Sequence, residues 1–160
     1  MSALLLAAVA LLPVNPFTAA RAGDWWVLET RDESGTHRMR WQIEKISGDT
    51  VHLELHDLAR KGLRLTATAS KSAPALSLYD LDSPLPLPIT DEVCELKDRK
   101  VPCKRLAYRA GGYEVTARFS AAVRGGLVSV KSSVGSLEGT SRLVGFGRAG
   151  TVEYDDPPGP

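Results

Sequence analysis

The sequence predicts an all-β domain: an antiparallel meander of about nine or ten strands forming a curled sheet, an open barrel or a sandwich. Three observations carry that prediction. Apolar and polar residues alternate with a period of two along most of the chain. The alternating stretches are joined by short connections holding Gly or Asp. No stretch repeats apolar residues at i, i+3, i+4 and i+7 over three turns. A period of two describes a strand with one buried and one wet face; a helical face needs 3.6.

The chain opens on Ala3 to Leu12, an unbroken apolar run of ten residues, followed by Pro13. Spanning a hydrocarbon core takes about 20 helical residues, so this run reads as an export address rather than an anchor. Ala20-Arg21-Ala22 offers the small-x-small pattern read by signal peptidase. Residues 1–22 are therefore expected to be a signal peptide. The n-region, Met1-Ser2, holds no Lys or Arg. Removing 22 of 160 residues leaves 138, the size of one domain, expected over 23–154. That product is expected in the periplasm or outside the cell. The leader carries one basic residue, Arg21, leaving 19 basic against 19 acidic residues. Such a balance argues against nucleic acid and against an anionic membrane surface. No second run is apolar enough to form a transmembrane segment.

The strands follow in order. Asp24 to Arg31 makes the first, holding Trp25 and Trp26. Met39, Trp41 and Ile43 then share a face, with Arg38, Arg40, Gln42 and Glu44 opposite. After Ser47-Gly48-Asp49, Val51, Leu53 and Leu55 alternate with His52, Glu54 and His56. After Arg60-Lys61-Gly62, Leu63, Leu65, Ala67 and Ala69 alternate with Arg64, Thr66, Thr68 and Ser70. Ser83 to Ile89 has Pro at every second position, which bars it from a central strand and suggests an extended connection. Its leucines, Leu85 and Leu87, could lie over the open end of a curled sheet. Val93–Leu96 and Val101–Tyr108 flank the polar turn Lys97-Asp98-Arg99-Lys100. Past Gly111-Gly112, Tyr113, Val115, Ala117 and Phe119 alternate with polar residues. Leu127–Ser132 and Thr140–Phe146 complete the set, with one helical turn at most at Ser120–Val123. Asp155 to Pro160 reads as a disordered tail.

The two cysteines, Cys94 and Cys103, suit a disulfide in an oxidising compartment. Counting from the midpoint of Asp98 and Arg99 puts them directly opposite, where Cβ atoms lie about 4.5–5.5 Å apart. A loop this short stabilises by about 2.5–3 kcal/mol in the chain-entropy model. A two-residue turn sets the pair at a non-hydrogen-bonded site but asks Pro102 for a ladder donor; a four-residue turn reverses both. The spacing is not C-x-x-C, and nothing marks an activated thiolate.

Catalytic and metal signals are thin. His52, Glu54 and His56 share one strand face, but four strand steps of about 3.3 Å separate the two imidazoles. His52 and Glu54 remain weak metal candidates, and no cofactor is implied. Asp80 with Asp82, and Glu92 with Glu95, are carboxylate pairs of unknown separation. Gly145 to Gly150 matches G-x-G-x-x-G, yet no helix can follow it to receive a pyrophosphate. Adjacent Trp25 and Trp26 must face opposite sides, so one of them is expected at a surface, a rim or a cavity mouth.

Gly23-Asp24-Trp25, Gly48-Asp49-Thr50-Val51 and the corner Ser120-Ala121-Ala122-Val123-Arg124-Gly125-Gly126-Leu127-Val128 occur in an order that resembles uncharacterised exported bacterial β-sheet proteins. More distantly, a curled antiparallel sheet on an exported domain resembles the LolA/LolB lipoprotein-carrier class. That resemblance implies an apolar concavity that shields acyl chains. The expected function is non-enzymatic binding of a lipid or another apolar ligand, with contacts from Trp25 or Trp26 and from Leu85 and Leu87. The alternative is a structural or protein-interaction module of the cell envelope, using sheet edges or the Pro-Leu stretch. A hydrolase is the third reading.

Overall fold

The computed structural model describes residues 17, 19–72, 89–110 and 112–156. They form β1 (Asp24–Asp32), β2 (Gly35–Ser47), β3 (Thr50–Asp57), β4 (Arg64–Ser70), β5 (Ile89–Glu95), β6 (Lys100–Ala110), β7 (Tyr113–Phe119), β8 (Leu127–Val134), β9 (Leu137–Arg148) and β10 (Thr151–Asp155). The predicted all-β class is what the structure has. All ten strands belong to one curled, unclosed antiparallel sheet, ordered β4-β3-β2-β1-β9-β8-β7-β6-β5, with β10 beside β9. Two meanders, β1 to β4 and β5 to β9, therefore meet where β1 pairs with β9. Among the described strands the outer edges are β4 and β5, which follow one another in sequence. The Pro-Leu stretch between them, with Leu85 and Leu87, lies outside the described residues, as do 157–160 of the expected tail. Asp155 closes β10, and the Asp156 amide donates to the Val144 carbonyl at 2.7 Å.

Alternation explains the layering. Register places Trp26 opposite Trp41 and Phe146, Trp41 opposite Leu55, Leu55 opposite Leu65, and Phe146 opposite Tyr154. One apolar row thus crosses β4, β3, β2, β1, β9 and β10. The Trp26 and Trp41 rings stack with centroids 6.0 Å apart, and Phe146 meets Tyr154 at 5.6 Å. Leu28, Ile43, Leu53, Leu106, Ala117 and Phe119 join the same buried cluster.

Two expectations need correction. Trp25 and Trp26 do face opposite sides, but both are buried. Trp25 is sheltered because β9 presents glycine beneath it. A Cβ at Gly147 would sit 2.8 Å from the indole and would also strike the Thr151 carbonyl. The Arg40 guanidinium lies 4.6 Å above the ring, closing the other side. The second correction concerns the hairpin register. Cys94 faces Val101, and Cys103 faces Glu92, so the cysteines are diagonal rather than opposite. They are joined in a disulfide, with Cα atoms 5.9 Å apart. The turn is Leu96 to Arg99, closed by the Leu96 amide donating to the Arg99 carbonyl at 2.8 Å. Its tip is held from outside: the Lys97 amide donates to the Tyr154 hydroxyl, and Arg99 to the Glu153 carbonyl.

The corner after β7 is a turn without a helix. The Ser120 hydroxyl donates to the Pro102 carbonyl at 2.6 Å, and Val123 enters the core. Gly125, at φ +72°, lies flat against Trp26, where a Cβ would overlap the indole. Gly125→Ala is expected to destabilise the fold by about 2 kcal/mol or more, from overpacking and backbone strain together. Urea unfolding followed by tryptophan fluorescence measures it; an unchanged midpoint would contradict this packing.

Candidate functional site

The residues singled out for chemistry are dispersed. Glu54 Oε2 lies 3.1 Å from His56 Nε2, and Glu54 Oε1 lies 3.4 Å from Arg64. His37 instead meets Ser34, at the tip of the β1–β2 hairpin. Among the described residues, no group of three His, Cys, Asp or Glu side chains is placed to hold a metal. Glu92 and Glu95 do not form a pair. Glu92 sits between Arg118 at 2.6 Å and Arg105 at 3.8 Å, and Glu95 meets Lys100 at 3.0 Å. Asp80 and Asp82 lie outside the described residues. The glycines of the G-x-G-x-x-G match belong to β9 and to the turn before β10.

Among the described residues two carboxylates are buried, and neither is marked as a site by the sequence. Glu29, on the polar face of β1, is only 3% exposed. Pairing of β1 with β2 and β9 sets it opposite Arg38 and Arg142. Arg38 donates to Oε2 through Nε at 2.9 Å and Nη2 at 2.5 Å, Arg142 reaches Oε1 at 3.2 Å, and Arg31 lies 3.3 Å from Oε1. Burial works against its charge, but the Arg38 hydrogen bonds and the Arg142 charge prevail and hold the carboxyl below its ordinary range. Asp24 is the second. It takes Arg148 Nε at 2.5 Å and the Arg21 amide at 2.9 Å, and Arg124 bridges it to Glu153. No sequence motif announces either cluster: strand register brings Arg38 and Arg142 to Glu29 and Arg148 to Asp24, while Arg21 and Arg124 reach Asp24 from outside the strands. A carboxylate held by three guanidiniums is a brace and has no proton to exchange near neutrality.

The clefts lie elsewhere. One of about 520 Å³ runs between the end of β5 and strands β8 to β10, lined by Glu92, Leu96, Arg118, Arg142 and Tyr154. Another of about 370 Å³ lies between the β1–β2 and β8–β9 turns, with Tyr113 and Leu137 set among Asp32, Glu33 and Glu138. Neither is lined by Trp25 or Trp26. Two apolar features stand apart from these clefts. Phe17, inside the expected leader, is 0% exposed and belongs to the core cluster that holds Trp26. At the other extreme the apolar row runs out into solvent: Leu65 is 49% and Leu63 40% exposed, beside exposed Leu58.

No family model matches this chain, and no curated protein matches it.

Glu29→Gln leaves three arginines around a neutral amide and is expected to cost about 3 kcal/mol at neutral pH. The folded carboxyl titrates below its unfolded value of 4.5. Its contribution is therefore complete above that value and lost as pH falls through the folded pKa. Wild type and variant should converge in urea midpoint under acid; a constant gap from neutral pH into acid would contradict the brace.

Proposed function

We propose that this chain is an exported, non-enzymatic binding protein whose curled sheet holds an apolar ligand, such as a lipid chain, against the Trp26 face. One observation carries this reading. The core contains a side chain, Phe17, that belongs to a segment with the features of a cleaved leader. Cleavage after Ala22 takes that side chain away. The sheet itself begins to be held at Gly23, whose amide donates to the Ile43 carbonyl at 2.8 Å. The mature domain then keeps its strands but has an apolar seat to fill. The disulfide supports an oxidising compartment, and no helix among the described residues is long and apolar enough to cross a membrane. Pairing of Glu29, Glu92 and Glu95 with cations supports binding over hydrolysis.

A chain starting at Gly23 is expected to be about 3 kcal/mol less stable than one starting at Pro16, the scale of removing a buried Phe. A monomeric single-chain amphiphile should restore that loss by mass action and shift tryptophan emission in the shorter chain alone. Equal stability of the two chains, with no ligand effect, would overturn the reading. Material purified from its own host is expected to begin at Gly23 and to carry no free thiol, read by intact mass with and without alkylation. A product retaining Phe17 would remove the vacated seat.

A second reading, a protein-interaction module, is favoured by the asymmetry of the two sheet edges. Edge strand β5 carries Asp91, Glu92 and Glu95, charges that discourage further pairing. Edge strand β4 has no charge after Arg64: along Leu65-Thr66-Ala67-Thr68-Ala69-Ser70 it pairs, among the described strands, on the β3 side alone, and Leu65 is exposed. Such an edge accepts an extended segment by strand addition. A capped peptide of alternating Val and Thr should then bind, and its backbone N-methylated analogue should bind at least tenfold more weakly. Equal affinity for the two would argue against backbone pairing.

A further inference from the structure

We propose that β4 pairs with β4 of a second copy of this chain, antiparallel and about a twofold axis at Ala67; this rests on the edge reading above and names its partner. Among the described strands, β4 is paired only with β3. Its seven residues run from Arg64 to Ser70, so Ala67 is the midpoint. Pairing about that point sets Ala67 against its own copy, Thr66 against Thr68, Leu65 against Ala69, and Arg64 against Ser70.

Each of these matches is favourable. Paired residues share a face, so Leu65, Ala67 and Ala69 extend the apolar row of one sheet into that of the other. Thr66 and Thr68 make a β-branched cross-strand pair on the polar face. Charge decides the direction. Arg64 is the only charged residue of β4; one guanidinium nitrogen lies 3.4 Å from Glu54 Oε1, and the side chain is still 62% exposed. At the other end, the Ser70 hydroxyl donates to Asp49 Oδ2 at 2.5 Å. Antiparallel pairing brings the Arg64 end of each copy to the Ser70–Asp49 end of its mate, twice by symmetry. Parallel pairing would instead set the two arginines side by side. A self-complementary patch of this kind closes as a dimer, and the acidic β5 edge keeps the merged sheet from growing further.

The test uses the disulfide-intact chain. Sedimentation equilibrium from micromolar to submillimolar protein should show a monomer–dimer equilibrium. Ala67→Cys, oxidised with copper phenanthroline and oxygen, should link two copies, because facing Cα atoms lie about 4.5–5.5 Å apart. Ala69→Cys should not, since in this register it faces Leu65 of the other copy. Ala67→Lys sets two ammonium groups face to face and should weaken the dimer at least tenfold while leaving the circular dichroism unchanged. A chain that stays monomeric, or a dimer cross-linked better at 69 than at 67, overturns the proposal. A monomer that still binds the alternating peptide, and loses it on N-methylation, overturns self-pairing alone. A monomer that binds neither peptide overturns the edge reading with it. Protected amides over 65–70 in a monomer would assign the edge to another part of the same chain.

Discussion

The whole sheet depends on the pairing of β1 with β9. Among the described strands it is the one lateral joint between the two meanders, and it unites segments more than a hundred residues apart in the chain. Loop closure over such a distance is entropically costly, so the contacts at the joint must offset it. They do so on both faces. On the apolar side Trp26 lies between Trp41 and Phe146. On the polar side Trp25 lies over Gly147 and under Arg40, with burial pushing that guanidinium below its usual pKa. Glu29 ties β1 to both neighbours through Arg38 and Arg142, and Asp24 ties the start of β1 to Arg148.

The joint is reinforced by β10. β10 sits beside the end of β9, and Tyr154 places its ring against Phe146 and its hydroxyl under the tip of the β5–β6 hairpin. Asp156 adds an ion pair to Arg142, which already holds Glu29. The disulfide hairpin is thereby fastened to the same central strands that join the two halves. Apolar packing and ion pairing thus converge on one line across the sheet.

Much of this was legible because alternation is a local property. The stretches beginning at Met39, Val51, Leu63 and Tyr113 read as strands, and the structure places each of them in the sheet. What could not be read depends on distant partners. The disulfide hairpin turns one residue before the symmetric midpoint, and its tip is held by Tyr154, far along the chain. Trp25 is buried because β9 happens to offer Gly147 at that register. Glu29 looks like an ordinary strand carboxylate until pairing brings two arginines to it. Strand β10, five residues long, has too little pattern to stand out. Phe17 lies in a segment whose composition reads as an export address, yet the fold buries it.

The order of the strands has a consequence for how the chain acquires its shape. Among the described strands, β1 sits at the middle of the sheet, while the two rims, β4 and β5, come from between the two meanders' inner strands in sequence. A ribosome releases β1 to β4 well before β9, so until β9 has emerged the early half has one flank of β1 without its partner strand. The two halves of the sheet are thus joined only once β9 is made, and the β1 flank is the surface that a chaperone would cover in the meantime.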